Sequence, residues 1–170
     1  PPFSPVSIGA LAAERHGDLE PDRLTPMHDW HVRRGATMYA AGLWHRPMIY
    51  PLPGETVEQA YVREARAVRA SVGIVDVSTL GKIAVQGPDA AEFLDRIYTN
   101  IFSTLPVNRA RYGLMLREEG IAFDDGTTWR LGEHDFLMTT TTANAGKVMQ
   151  HLEYLLDVAW PDLRVHLTSV

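Results

Sequence analysis

Residues 110–144 read ARYGLMLREEGIAFDDGTTWRLGEHDFLMTTTTAN, short apolar-rich runs punctuated by Glu119 and Gly120 and again by Gly132 and Glu133. That alternation predicts three strands joined by tight turns. Upstream, Val57, Tyr61, Ala65, Val68 and Val72 fall on one helical stripe behind a capping box of Thr56 and Gln59. A helix buried along that stripe and closed by Gly73 is expected. Residues 74–77 and 82–86 read as strands split by a turn near Gly81. Gly87 and Pro88 open a second helix with the proline at its first position and Phe93, Leu94, Ile97 and Tyr98 buried. After a loop over 99–108, the three strands follow. A third helix, from about Ala143 to about Leu156, should bury Val148, Met149, Leu152, Leu155 and Leu156, and a last strand begins near Leu163. Strands joined by short turns, with helices between groups, indicate an α+β fold: a mainly antiparallel sheet with helices packed on it.

The stretch 1–24 has Pro1, Pro2, Pro5 and Pro21 and little periodicity, so it reads as linker-like. Residues 25–53 are dense in Trp, His, Pro and Gly, which suits an irregular but packed segment. The chain has no initiator Met and ends on strand-like text, as expected of a piece of something larger.

With 170 residues, 45% of them hydrophobic, the chain can bury one good core or two small ones. A net charge of −5 argues against a nucleic-acid surface. The absence of cysteine excludes disulfides, thiolate metal sites and cysteine nucleophiles. No apolar run approaches the roughly 20 residues of a membrane span, and the proline-rich start is no secretory signal. A cytoplasmic protein is expected.

Few motifs carry chemistry. His28 and His31 form H-x-x-H, but the surrounding Pro26, Trp30 and Gly35 weaken a helical geometry and no third ligand is placed, so no metal site is expected. Arg63, Arg66 and Arg69, interleaved with Glu58 and Glu64, read as a solvated helix face. Asp124 and Asp125 are harder to dismiss. Consecutive strand residues point to opposite faces, so one acid should point inward, where it needs a partner. A solvated Asp-Asp-Gly turn is the equal alternative. Beside a buried acid and Tyr112, the run from Thr139 to Thr142 could line a polar slot for a flat heteroaromatic ligand, or be only a good strand.

The segments VGIVDVSTLGKIAVQGPDAAEFLDR, RYGLMLREEG, FDD and TTTTAN resemble the first part of the folate-binding aminomethyltransferase domain, as in the T-protein of the glycine cleavage system. LTPMHDWHVRRGA, AGLWHRPMIYP, DVSTLGKI, DDGTTWRL and TTTTANA resemble the α-subunit family of heterotetrameric sarcosine oxidases more closely still. The resemblance implies a truncated, N-terminal part of such a domain over 25–170. It implies an oxidoreductase whose complete form uses FAD, FMN and NAD, with other subunits as partners. Tetrahydrofolate would be the ligand of this part, capturing the one-carbon unit of sarcosine as 5,10-methylenetetrahydrofolate. It places the catalytic role on Asp125, with Tyr112, Asp125, Leu80, Trp129, Thr139 and Thr141 toward folate. Leu80, Trp129 and Thr141 depart from the T-protein pattern, where Met, Tyr and Asn stand. The isolated piece is expected to be inactive. A T-protein-type aminomethyltransferase or dimethylglycine dehydrogenase relative is the nearest alternative, and a non-catalytic folate-binding or assembly protein is the alternative of another class.

Overall fold

The computed structural model describes residues 23–170, so the linker-like stretch lies, but for its last two residues, outside the described residues. The chain divides into two units, one ending at Asp76 and the other Val77–Val170.

The first unit contains β1 (Arg23–Leu24), α1 (His28–Arg33), β2 (Thr37–Ala41), β3 (Trp44–Ile49) and α2 (Val57–Ala70). β2 and β3 pair antiparallel, and β1 adds to β3 in parallel. The irregular segment expected over 25–53 is therefore largely regular. Its prolines had hidden a sheet that tolerates them. β1 reaches only to His45, and the β2 register shifts beside the pair Met38 and Pro47, so the proline sits where the ladder is already interrupted.

The capping box on α2 forms as expected: Thr56 Oγ1 accepts from the Gln59 N–H, and the Gln59 side chain accepts from the Thr56 N–H at 2.9 Å. The expected buried stripe does not form. Val57, Tyr61, Val68 and Val72 are all exposed, and Ala60 is the buried position. Polar anchors hold this helix instead. Arg63 donates to Glu55 at 2.7 Å and to the Tyr50 carbonyl at 2.8 Å, while Glu64 accepts the Tyr50 N–H at 2.7 Å. The helix also stops at Ala70, short of Gly73. Residues 74–77 form no strand, for they find no pairing strand among the described residues.

The second unit is a five-stranded antiparallel sheet in the order β5-β6-β7-β4-β8. Its elements are β4 (Gly81–Gln86), α3 (Ala90–Ile97), β5 (Arg109–Leu116), β6 (Ala122–Gly132), β7 (Asp135–Thr140), a 3-10 turn (Thr142–Asn144), α4 (Ala145–Tyr154), a π-helical turn (Leu155–Ala159) and β8 (His166–Ser169). The three strands expected over 110–144 and their turns are present. α3 starts at Ala90, leaving Pro88 in the preceding turn, and β8 starts three residues after Leu163.

Phe93, Leu94 and Ile97 of α3 and Val148 and Leu152 of α4 pack on Ile83, Val85, Met115, Phe136 and Met138 of the sheet in one apolar core. Each such side chain, once fully buried, contributes about 1.5–3 kcal/mol. Met149, Leu155 and Leu156 are only partly buried against it. Gly113 on β5 leaves room for two rings, since a Cβ there would lie 2.7 Å from Tyr98 and 3.0 Å from Phe102.

Candidate functional site

Strand alternation gives this sheet two faces of different character. Along β6, Asp124 and Thr128 are buried, whereas Asp125 and Thr127 are half-buried and Trp129 is exposed. Along β7, Phe136, Met138 and Thr140 are buried while Leu137 and Thr139 are not. α3 and α4 cover the first face. The second presents Tyr112, Asp125, Thr127, Trp129 and Thr139 from three adjacent strands.

The expectation that one acid of the pair turns inward holds, and the inward acid is Asp124. Asp124 is 6% exposed and accepts from the Thr141 N–H at 3.1 Å, the Thr141 hydroxyl at 2.5 Å and Asn144 Nδ2 at 3.3 Å. Asp125 projects the other way. Its Oδ2 accepts from the Tyr112 hydroxyl at 2.6 Å, a diagonal contact across the β5–β6 pair, where Leu114 stands opposite Asp125 and Tyr112 opposite Thr127. That hydrogen bond, with lesser contributions from burial and from the charges of Asp125 and Asp124, holds the Tyr112 phenol above its ordinary pKa. Behind the sheet, burial first and then the same two acids raise Tyr98.

Thr139 shares the face of Asp125, with its hydroxyl engaged: it accepts from the Thr127 N–H at 3.0 Å and donates to the Thr127 carbonyl at 3.1 Å. Gly126 makes this approach feasible, since a Cβ there would sit 2.1 Å from the Thr139 carbonyl oxygen. Thr141 has left the strand, and both its N–H and its hydroxyl serve Asp124. The threonine run is thus divided: Thr139 and Thr140 end β7, and Thr142 begins the 3-10 turn. Leu80 lies on the turn before β4, where the pair of Gly81 with Thr140 sets it at the same end of the sheet as Thr141. The structure therefore groups Tyr112, Asp125, Trp129 and Thr139 on one face and leaves Thr141 turned toward Asp124. A carboxylate beside a phenol, flanked by an indole, offers acceptors next to flat apolar surface. Such a surface suits an amino-substituted heteroaromatic ring.

Sequence reasoning did not single out Asn144, which donates to Asp124 and to the Phe123 carbonyl at 3.1 Å. Only its nearness to the threonine run could have drawn attention to it. In the first unit, H-x-x-H does lie on a helix, contrary to expectation. His31 is buried there between the Tyr50 hydroxyl at 2.5 Å and Asp76 at 3.0 Å. It borders a cavity of about 420 Å³ lined by Met27, Trp30, Arg34 and Val75 among others. Among the described residues no group of His, Asp and Glu could hold a metal ion. Nor is any helix among them long and apolar enough to cross a membrane.

The profile of the GCVT N-terminal domain family matches residues 27–170. The chain is 51% identical over 170 residues to the sarcosine oxidase subunit alpha of Corynebacterium sp. (strain U-96), covering 99% of this chain and 18% of that protein. It is 37% identical over 128 residues to an aminomethyltransferase of Corynebacterium aurimucosum, covering 75% of this chain and 32% of that one. Among solved structures, the glycine cleavage system aminomethyltransferase T of Bartonella henselae superposes with a TM-score of 0.73 at 27% identity, covering 87% of this chain and 38% of that one. The chain thus spans less than a fifth of the sarcosine oxidase subunit and about a third of the aminomethyltransferase.

Proposed function

The chain belongs to the GCVT N-terminal domain family, and from that membership we propose that residues 25–170 are the N-terminal part of the tetrahydrofolate-binding domain of a sarcosine oxidase α subunit. The observation that carries this reading is the pairing of Asp125 with Tyr112 on the face of the sheet turned away from α3 and α4, in a chain half identical to such a subunit. In the whole enzyme, sarcosine would be oxidised at flavin and dinucleotide sites (FAD, FMN and NAD) outside this piece, within a cytoplasmic heterotetramer. The one-carbon unit would then be taken up here as 5,10-methylenetetrahydrofolate.

Tetrahydrofolate supplies the nucleophilic nitrogen. The chain's own residues hold the ring and handle the proton. Asp125 would accept hydrogen bonds from the amino-substituted pterin. As one folate nitrogen bonds to the carbon of the imine formed from sarcosine, Asp125 would take the proton it sheds and pass it to the imine nitrogen. That nitrogen leaves as the amine of glycine when the second folate nitrogen closes the methylene bridge. Tyr112, by donating to Asp125, fixes that carboxylate before the ligand arrives, so less freedom is lost on binding. Trp129 offers a flat wall for the ring. Thr139 sets the edge of the slot, and Leu80 and Thr141 sit at its end. Catalysis of this kind needs little covalent help, because the carbon of an imine formed by oxidation of sarcosine is already electrophilic.

The test uses the complete subunit assembly. Asp125→Asn should suppress methylenetetrahydrofolate formation, measured with sarcosine and tetrahydrofolate together, while sarcosine oxidation proceeds and releases formaldehyde. Equal loss of both activities would remove Asp125 from this role.

A further inference from the structure

β6 and β7 pair from Gly132 and Asp135 as far as Thr128 and Met138, and beyond that their register stops, although β6 stays paired with β5 as far as Ala122. Two side chains take over where the backbone ladder ends. The Thr139 hydroxyl occupies both backbone polar groups of Thr127, and one step further the Asp124 carboxylate takes the Thr141 N–H and hydroxyl together with Asn144 Nδ2. A carboxyl group reaches further than a carbonyl, so it can join strands that have separated beyond ladder distance. We propose that Asp124 is a positioning residue for the neighbouring site: its buried carboxylate ties residues 141–144 to β6 across this opening and so fixes how Asp125 and Thr139 face the ligand.

Burying a carboxylate is costly, and hydrogen bonds only offset that cost. All three described donors to Asp124 are neutral, so no ion pair offsets its burial, and apolar groups of the same shape often serve a fold as well as such a polar cluster. The residue is therefore poorly explained as a plain stability element. Its place in the chain supplies another reason. Asp124 and Asp125 are adjacent and point to opposite faces, so a rotation of β6 at one carries the other with it. Clamping Asp124 from behind holds the direction of Asp125 in front. The same tie holds the end of β7, from which Thr139 projects, and Asn144 reinforces it by gripping the Phe123 carbonyl as well. This inference rests on reading the front face as the tetrahydrofolate site.

The experiment compares Asp124→Asn, Asn144→Ala and the exchange Asp124→Asn with Asn144→Asp against Asp125→Asn, each in the complete subunit assembly. Tetrahydrofolate affinity is measured by equilibrium titration well below each variant's melting temperature. An asparagine at 124 keeps the shape but turns one acceptor into a donor facing another donor. Asp124→Asn should therefore weaken tetrahydrofolate binding about ten-fold, and Asn144→Ala less. The exchange, which returns a donor–acceptor pair to the same two positions but gives up the bond to the Phe123 carbonyl, should recover part of the loss. A merely structural residue would not behave so: its variants would melt earlier yet bind tetrahydrofolate within about two-fold of the parent at low temperature, and that result overturns the proposal. Should Asp124→Asn fail to assemble, Asn144→Ala decides alone, with unaltered binding counting against the clamp. If Asp125→Asn binds tetrahydrofolate as well as the parent does, the reading of the face falls and the clamp falls with it. Loss of binding in Asp125→Asn with none in Asp124→Asn overturns the clamp alone.

Discussion

The two faces of the five-stranded sheet are built from the same strands and share every backbone hydrogen bond, yet they do different work. On the helix-covered face Val85, Phe136 and Met138 are fully buried, and even its polar members Thr128 and Thr140 are 0% and 2% exposed. On the other face Tyr112 is 59% exposed and Trp129 39%. Residues one position apart thus belong to different problems, one to stability and one to recognition. Asp124 and Asp125 are the sharpest instance: the first is satisfied by the protein, and the second has accepting capacity to spare.

The comparison breaks first if position along a strand stops mattering. Phe136→Ala should destabilise the protein by about 3–5 kcal/mol, through lost transfer free energy and the cavity left behind. Leu137→Ala, next to it on the other face, should cost much less in the same denaturant titration. Asp125→Asn should reverse that pattern. Its melting temperature should stay near that of the parent, while tetrahydrofolate affinity falls about ten-fold or more, as for a lost hydrogen bond to a charged group.

A pH series sharpens the contrast. Tyr98 lies behind the sheet with its pKa raised, chiefly by burial. A raised folded-state pKa means that its contribution is complete below the unfolded value of about 10 and is lost as the pH climbs toward the folded value. Melting curves should therefore show stability falling above pH 10 by up to about 1.4 kcal/mol per pH unit from this group, and Tyr98→Phe should flatten that fall. The smallest effect belongs to the open face. Tyr112→Phe removes one donor from Asp125 and should weaken tetrahydrofolate binding about two- to ten-fold. Because the Tyr112 phenol is raised too, the variant should flatten the alkaline fall as well, but by less than Tyr98→Phe does.

Much of the second unit could be read from its residues. The three strands over 110–144 and the apolar side of α3 rest on local patterns, as does the capping box of α2 in the first unit, and local patterns survive folding. That one acid of the pair turns inward also followed from strand alternation. Which acid did not follow, because Gly126, Thr127 and Thr128 carry no apolar alternation to fix the parity. The parity is set instead by cross-strand partners, Thr141 and Asn144, about 20 residues away. The first unit was harder to read. Trp30, Pro47 and Pro51 masked a helix and a small sheet, and the stripe on α2 looked like a core when its anchors are Arg63 and Glu64. Periodicity shows which face of a helix is apolar, and what that face meets is a tertiary fact.

The engagement of Thr127 by the Thr139 hydroxyl has a consequence in time as well as in space. A ladder amide such as that of Met138 exchanges its hydrogen with solvent only when two strands separate. The Thr127 amide is released by one turn of a threonine side chain about χ1. Thr127 should thus exchange among the fastest of the inner-strand amides, and a ligand seated against Thr139 should slow it selectively. That amide would serve as a built-in reporter of occupancy, legible by hydrogen–deuterium exchange with no label added to the protein.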